Sequence, residues 1–404
     1  MRKRTALSAA RRRCPPVPSR PLRSLALALL VLLGQSATAW AVAPPGSWDP
    51  ADRRLNRELA ELVTEPGGPP GAIAVLRDGD RIRSYRAGLA DLANPGAGAP
   101  RADDHARLAS VSKMFNGAVA LALVDRGALS LDDTIARWLP DLPAAWGAVT
   151  LRQLLNHTSG LPEYNRAPAF LQELQGDPHH EFDPHCLLGY VADQPLGFTP
   201  GSTYRYVNSD NIAAALMTEA ATGRSYEDLL HDLVLDPLAL RHTSLPRGFE
   251  LPEPYLHGYA VAPPAAPQDV STEYGMSGLW AAGGMVATPR DLSSFTRAYA
   301  SGTLLSAATR AQQLTFRPGR SQPSGPGDNE VGLAIFRYTT RCGVVYGHTG
   351  NFLGYTLLAV GTPDGRRSLA FVVSEQLNDA GQPELVKQLR EVQEDFVCHL
   401  LHTN

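Results

Sequence analysis

Two blocks of strand-forming residues lie near opposite ends of this chain, and any fold must reconcile them. AIAVLRDGDRIRSYRAG (72–88) reads as a hairpin turning at Asp78-Gly79. Far downstream come three β-rich runs: VGLAIFRYTT (331–340), CGVVYG (342–347) and YTLLAVGTPDGRRSLAFVVSE (355–375). Between them, residues 130–270 carry short helical patterns broken by Pro and Gly, such as LRQLLNHTSGLP and NIAAALMTEAATG. The economical solution is α/β in the α+β sense. Both ends build one antiparallel five-stranded sheet flanked by helices, and a mostly helical subdomain is inserted between them. This assigns 49–130 and 275–404 to the sheet domain and 131–274 to the insert, together one catalytic domain.

Helix signals frame the sheet. Asp49-Pro50 is a cap and first position for a helix with Leu55, Leu59 and Leu62 on one face. Thr288-Pro289-Arg290-Asp291 announces another. PELVKQLREVQEDFVCHLL (383–401) is a third, with Leu385, Leu389, Val392 and Phe396 aligned. Ahead of them all, residues 1–23 hold eight basic residues and no acidic one, followed by LALALLVLL (25–33) and the small-residue stretch SATAWAVA. That is the pattern of a secretory signal peptide, here residues 1–43, and it predicts an exported protein, periplasmic or extracellular. The apolar run is about half of the roughly 20 residues a spanning helix needs, so no stable membrane span is expected after processing.

Removing the leader takes the formal charge from −3 to about −11, because its eight basic residues go and all 40 acidic ones stay. Without a basic stripe or an interleaved aromatic patch, nucleic-acid binding is disfavoured. Cys186, Cys342 and Cys398 remain; the odd count allows one disulfide and one free thiol, and Cys342–Cys398 is the favoured pair, joining a strand to the last helix.

LASVSKMFNGAVALALVDRG (108–127) carries the chemistry. Ser110 opens an apolar helix, and Lys113 follows at i+3, one turn on and on the same face. Met114, Phe115, Val119, Leu121 and Val124 make the helix apolar nearly all round, hence central, with Gly127 as its left-handed cap. A lysine there loses solvation, its pKa falls from about 10.4, and a neutral amine beside a hydroxyl can act as a general base; taken alone, Ser110 can equally be a helix cap and Lys113 a solvated first-turn lysine. In TPGSTYRYVNSDNIAAALM (199–217), Tyr206 and Asn208 stand two apart before a helix, the same side of an extended segment. They can serve a site, or be a core aromatic and a helix cap. In VVYGHTGNFLGYTLLAV (344–360), His348-Thr349 lies between Gly347 and Gly350, which permit close backbone approach. Facing Ser110, Thr349 could bind a substrate carboxylate or carbonyl, and the Asn351 N–H could join that of Ser110 as an oxyanion hole.

Taken in order, S-x-x-K, Y-x-N and H-T-G make a constellation. The chain resembles the serine β-lactamase and penicillin-binding protein group, most closely the branch of class C β-lactamases, D-alanyl-D-alanine carboxypeptidases and related esterases. RLASVSKMF, LRQLLNHTSGLP, TPGSTYRYVN and AAGGMVATPRDLSSF also carry the resemblance, which covers roughly residues 50–400. It implies a β-lactamase/transpeptidase-like fold and a hydrolase working through an acyl-enzyme on a D-amino-acid peptide, a β-lactam or an ester. It implies no metal or cofactor, and a monomer is expected. Under it, Ser110 is the nucleophile, Lys113 takes its proton, and Tyr206 moves protons to the leaving group and deacylating water. Asn208 holds a substrate amide, while His348, Thr349, Gly350 and Asn351 form the opposite wall. Class C β-lactamases usually place Lys where His348 stands; an imidazole anchors a carboxylate less firmly, which argues against strong β-lactam hydrolysis.

Rival centres are weaker. DPHHEFDPHC (177–186) has His179, His180, His185 and Cys186, but not the helical zinc spacing, and reads as a solvated loop. His157-Thr158-Ser159-Gly160 has no nearby lysine and reads as a structural turn. No G-x-S-x-G elbow occurs. A penicillin-binding sensor that acylates without turnover would use the same residues.

Overall fold

The computed structural model describes residues 48–402; the leader assigned to 1–43 lies outside them. Asp49 caps helix α1 (Pro50–Thr64) through a reciprocal pairing with Asp52, with Pro at the first turn. The hairpin forms as expected, β1 (Gly71–Asp78) and β2 (Arg81–Gly88), with Gly79 at φ +57 in the turn. The central helix α2 (Ser112–Asp125) follows. Next come several short helices and α3 (Ser209–Thr222), which ends at Gly223 with φ +69. The Thr288 hydroxyl caps α4 (Pro289–Ser301). The terminal strands are β3 (Arg317–Pro318), β4 (Asp328–Val331), β5 (Phe336–Thr340), β6 (Gly343–Phe352), β7 (Tyr355–Gly361) and β8 (Arg367–Val373), closed by α5 (Pro383–His402).

The sheet has eight strands rather than five, in the order β2-β1-β8-β7-β6-β5-β4-β3, every pair antiparallel. The run 355–375 folds back at Asp364-Gly365 into two strands, and two short edge strands precede β5. The first and last strands of the chain pair directly, Ala72 to Val373 through Asp78 to Arg367. Alternation sorts their side chains to two faces. Ile73, Val75 and Val372 join the core around α2 and α4, while Ala74, Leu76 and Phe371 join the core under α1 and α5. A sheet buried on both faces holds its register tightly, because a one-residue slip would exchange the two cores. Among the described residues, no helix is long and apolar enough to cross a membrane.

Cys342 and Cys398 form a disulfide, with Cα atoms 5.1 Å apart. Cys342 sits in the β5–β6 turn, not in a strand, so the bond ties that turn to α5. No described cysteine is a free thiol, contrary to the odd-thiol expectation. The Cys342–Cys398 bond constrains a separation of 56 residues in the unfolded chain. Replacing both cysteines by serine should lower unfolding free energy by about 4 kcal/mol, read as a fall in denaturant midpoint.

Candidate active site

Ser110 lies in a single 3-10 turn, Ala109–Val111, that runs into α2, and Ala109 before it sits at φ +47. A non-glycine residue held in that region marks a backbone constrained by its surroundings, as functional sites often are. The junction keeps the i, i+3 relation, and Lys113 Nζ lies 3.1 Å from Ser110 Oγ. The amine has two further partners, Asn208 Oδ1 at 2.7 Å and the Ala282 carbonyl at 2.6 Å. Both can only accept. They claim two N–H groups, so in the neutral amine the lone pair is left facing Ser110. Lys113 is 1 % exposed, and burial brings its pKa from 10.5 down to about 7. Geometry and charge state agree: this amine can receive the serine proton.

Asn208 reaches the site from the start of α3. It occupies the cap position but makes no capping bond with its side chain. Its amide instead bridges Lys113 and Glu163, whose Oε2 accepts from Asn208 N at 2.8 Å and from Nδ2 at 3.3 Å. That pairing sets which end of the amide faces the lysine. Burial raises the Glu163 carboxyl above its ordinary pKa. Tyr206 is packed with its ring centroid 5.0 Å from the Lys113 ammonium. Its hydroxyl is buried without a hydrogen-bond partner. Burial pushes its pKa well above 10, against the opposing effect of the neighbouring Ser110 hydroxyl. The phenol therefore keeps its proton, which makes it a donor rather than a resting base.

Ser110, Tyr206, Asn208 and Asn351 line one cavity of about 640 Å³, together with Arg166, Arg320 and the loop 321–324. His348, Thr349 and Gly350 do not line it. His348 is 1 % exposed; its Nδ1 is bonded to the Thr349 carbonyl, and burial holds its pKa well below 6.5, so the imidazole is neutral. The Thr349 hydroxyl donates to the Pro323 carbonyl at 2.6 Å. The wall expected to offer an imidazole and a hydroxyl therefore offers neither in this state. Gly350 has a packing role: a Cβ there would stand 2.5 Å from the Leu108 carbonyl oxygen. Only glycine lets β6 come this close to the Ser110 turn. β5 stops pairing with β6 at Gly347, so residues 348–352 keep only their β7 partners, and Asn351 is paired there with Thr356.

Sequence patterns missed Glu163, Asp210 and the Ala282 carbonyl, and His157 was set aside as part of a turn. The His157 ring lies 4.5 Å from that of Tyr206, and its Nδ1 is 2.8 Å from Asp210 Oδ2. The one available clue was position, since Asp210 stands two residues after Asn208. The 177–186 loop does not converge on a centre. His179 bonds the Thr272 carbonyl, while His185 lies between Asp183 and Glu219.

Comparison with known proteins gives a consistent result. Residues 55–393 match the family described as Beta-lactamase. Penicillin-binding protein 4* of Bacillus subtilis is 24% identical over 353 residues, which is 84% of this chain and 76% of that protein. Esterase EstB of Burkholderia gladioli is 33% identical over 225 residues, 47% of this chain and only 56% of the esterase. The solved D-stereospecific amidohydrolase of a Streptomyces species superposes with TM-score 0.71 at 30% identity, covering 84% of this chain and 98% of that one.

Proposed function

The chain belongs to the Beta-lactamase family, and from that premise we propose that it is an exported serine hydrolase opening amide or ester bonds through an acyl-enzyme at Ser110. The observation that carries this reading is the Lys113 amine, 3.1 Å from the serine oxygen with its other two hydrogen-bonding directions fixed. Lys113 accepts the Ser110 proton as Oγ bonds to the substrate carbonyl carbon. The oxyanion is assigned to the backbone N–H groups of Ser110 and Asn351, two residues that line the same cavity. The bond to the leaving group then breaks as Tyr206 passes it a proton, which the Lys113 ammonium replaces. Water hydrolyses the ester on Ser110, its proton passing through the same amine and phenol to the Ser110 oxygen as the acyl bond breaks. The disulfide supports export, since such bonds persist in oxidising compartments.

The substrate reading follows from the buried wall. A carboxylate adjoining the scissile amide, as in a D-alanyl-D-alanine peptide, meets no cation or free hydroxyl from His348 or Thr349, and of the cavity-lining residues Arg166 and Arg320 are the cations left to it. A leaving group without charge, ammonia or an alcohol, needs neither. The favoured substrates are D-amino-acid amides and small esters, in keeping with the names of the amidohydrolase and esterase relatives. The test is a panel of a D-amino-acid amide, a nitrophenyl ester, a D-alanyl-D-alanine peptide and a chromogenic cephalosporin. The amide and ester should exceed the peptide in kcat/KM by about 10-fold or more, the scale of one charge-assisted hydrogen bond. Preference for the peptide would overturn this substrate reading.

A further inference from the structure

Behind Tyr206 lies a buried pair that the acyl-transfer steps do not use. His157 packs on the phenol ring, and its Nδ1 meets Asp210 Oδ2, while the Ser159 hydroxyl donates to the other carboxyl oxygen. His157, Ser159 and Asp210 are 3 %, 1 % and 0 % exposed, and none lines the cavity. The turn that carries them is stitched to the Tyr206 segment on both sides. Arg205 N donates to the His157 carbonyl at 2.9 Å, and the Arg205 guanidinium donates to the Gly160 and Leu161 carbonyls. Asp210, four residues beyond Tyr206, closes the clamp from the first turn of α3. His157 itself is held at φ +58, a backbone region that few residues other than glycine adopt. So much constraint around one ring needs a reason, and the phenol, whose hydroxyl has no hydrogen-bond partner to aim it, supplies one.

We propose that His157 and Asp210 are a positioning pair for Tyr206: an uncharged platform, held together by one shared proton, that aims the phenol at Ser110. The inference rests on the roles given above to Ser110 and Tyr206. Burial drives His157 down to about 3 and Asp210 well above its ordinary range, so both favour neutral forms. The titratable and charged groups facing the pair are Lys113, Glu163, Tyr204, Arg205, Tyr206 and His348. A neutral carboxyl donates to Nδ1 and accepts from Ser159, and an asparagine amide can do both.

The test uses Asp210→Asn, Asp210→Ala and His157→Phe in the whole protein, with a D-amino-acid amide and a nitrophenyl ester as substrates. Asp210→Asn should keep kcat within about 3-fold and leave the acid limb of the pH profile in place. Asp210→Ala and His157→Phe should lose about 30-fold or more in kcat on the amide with KM little changed. They should lose far less in the initial burst of nitrophenol release from the ester, an acylation step whose leaving group departs without a proton from Tyr206. A general packing defect would slow both substrates alike and would overturn the proposal. So would an Asp210→Asn variant as impaired as Asp210→Ala, or one whose acid limb moves to lower pH, since each shows that the carboxylate charge is what matters. If Asp210→Ala fails to fold, the contrast of Asp210→Asn with His157→Phe decides alone. Failure of the serine assignment is separate, because Ser110→Ala would then remain active.

Discussion

Replacing Ser110 by alanine will cut turnover of amide and ester substrates by at least about 10⁴-fold and abolish covalent labelling by a fluorophosphonate. The chemistry leaves no substitute. The described cavity presents one hydroxyl beside the lysine amine, and alanine removes it while changing little volume. The structural cost is one hydrogen bond at a partly exposed position, about 1 kcal/mol, so the variant should melt close to the wild type. The same reagent followed over time separates a hydrolase from a protein that only acylates. In a hydrolase, an acyl group derived from a substrate ester clears and the serine becomes reactive again; persistent blockage would identify a binder. Hydrolysis surviving in the alanine variant would remove the basis of the functional reading.

The second large effect belongs to Lys113. Replacing it by methionine keeps the apolar stem and deletes the amine, and should cost about 10²–10⁴-fold in kcat/KM, the range of a lost general base. The wild type should also show an acid limb. The sign follows from the lone pair: a protonated amine cannot take the serine proton, so activity is low below a pH of about 7, rises through it and levels off above. Burial sets that midpoint against the opposing pull of Glu163, which favours the charged amine. Lys113→Arg keeps a cation that never deprotonates, so it should be as inactive as the methionine variant and show no limb. A wild-type profile flat from pH 5 to 9 would show that this amine is not the base.

What was legible in the sequence was what local geometry determines. Ser110 and Lys113 meet because i and i+3 must, and Asp49 and Thr288 cap because their side chains reach N–H groups three residues on. The Tyr206–Asn208 pair was readable from period-two spacing; that Asn208 would forgo its capping bond for Lys113 was not, because the competing partner lies 95 residues away. The strand count failed for physical reasons. VGLAIFRYTT looks like one strand, yet Leu333 and Ile335 are buried in a connection, with Ala334 at φ +53, and only Phe336–Thr340 pairs as β5. Arg317–Pro318 and Asp328–Val331 lack an apolar alternation and became strands only by adding to a sheet already built. Burial of His348 was equally invisible, since the rings that flank it, Tyr206 and Phe336, come from other elements of the fold.

Under the substrate reading proposed above, the hydrogen bond from Thr349 to Pro323 places selectivity outside the reacting groups. It makes a five-residue segment, 320–324, the custodian of a donor that the strand already owns. Mutations that pull this segment aside would hand the hydroxyl back to incoming molecules while Ser110, Lys113 and Tyr206 stay untouched. Laboratory evolution towards acidic acceptors should therefore accumulate its first changes there, at little expense to the chemical step.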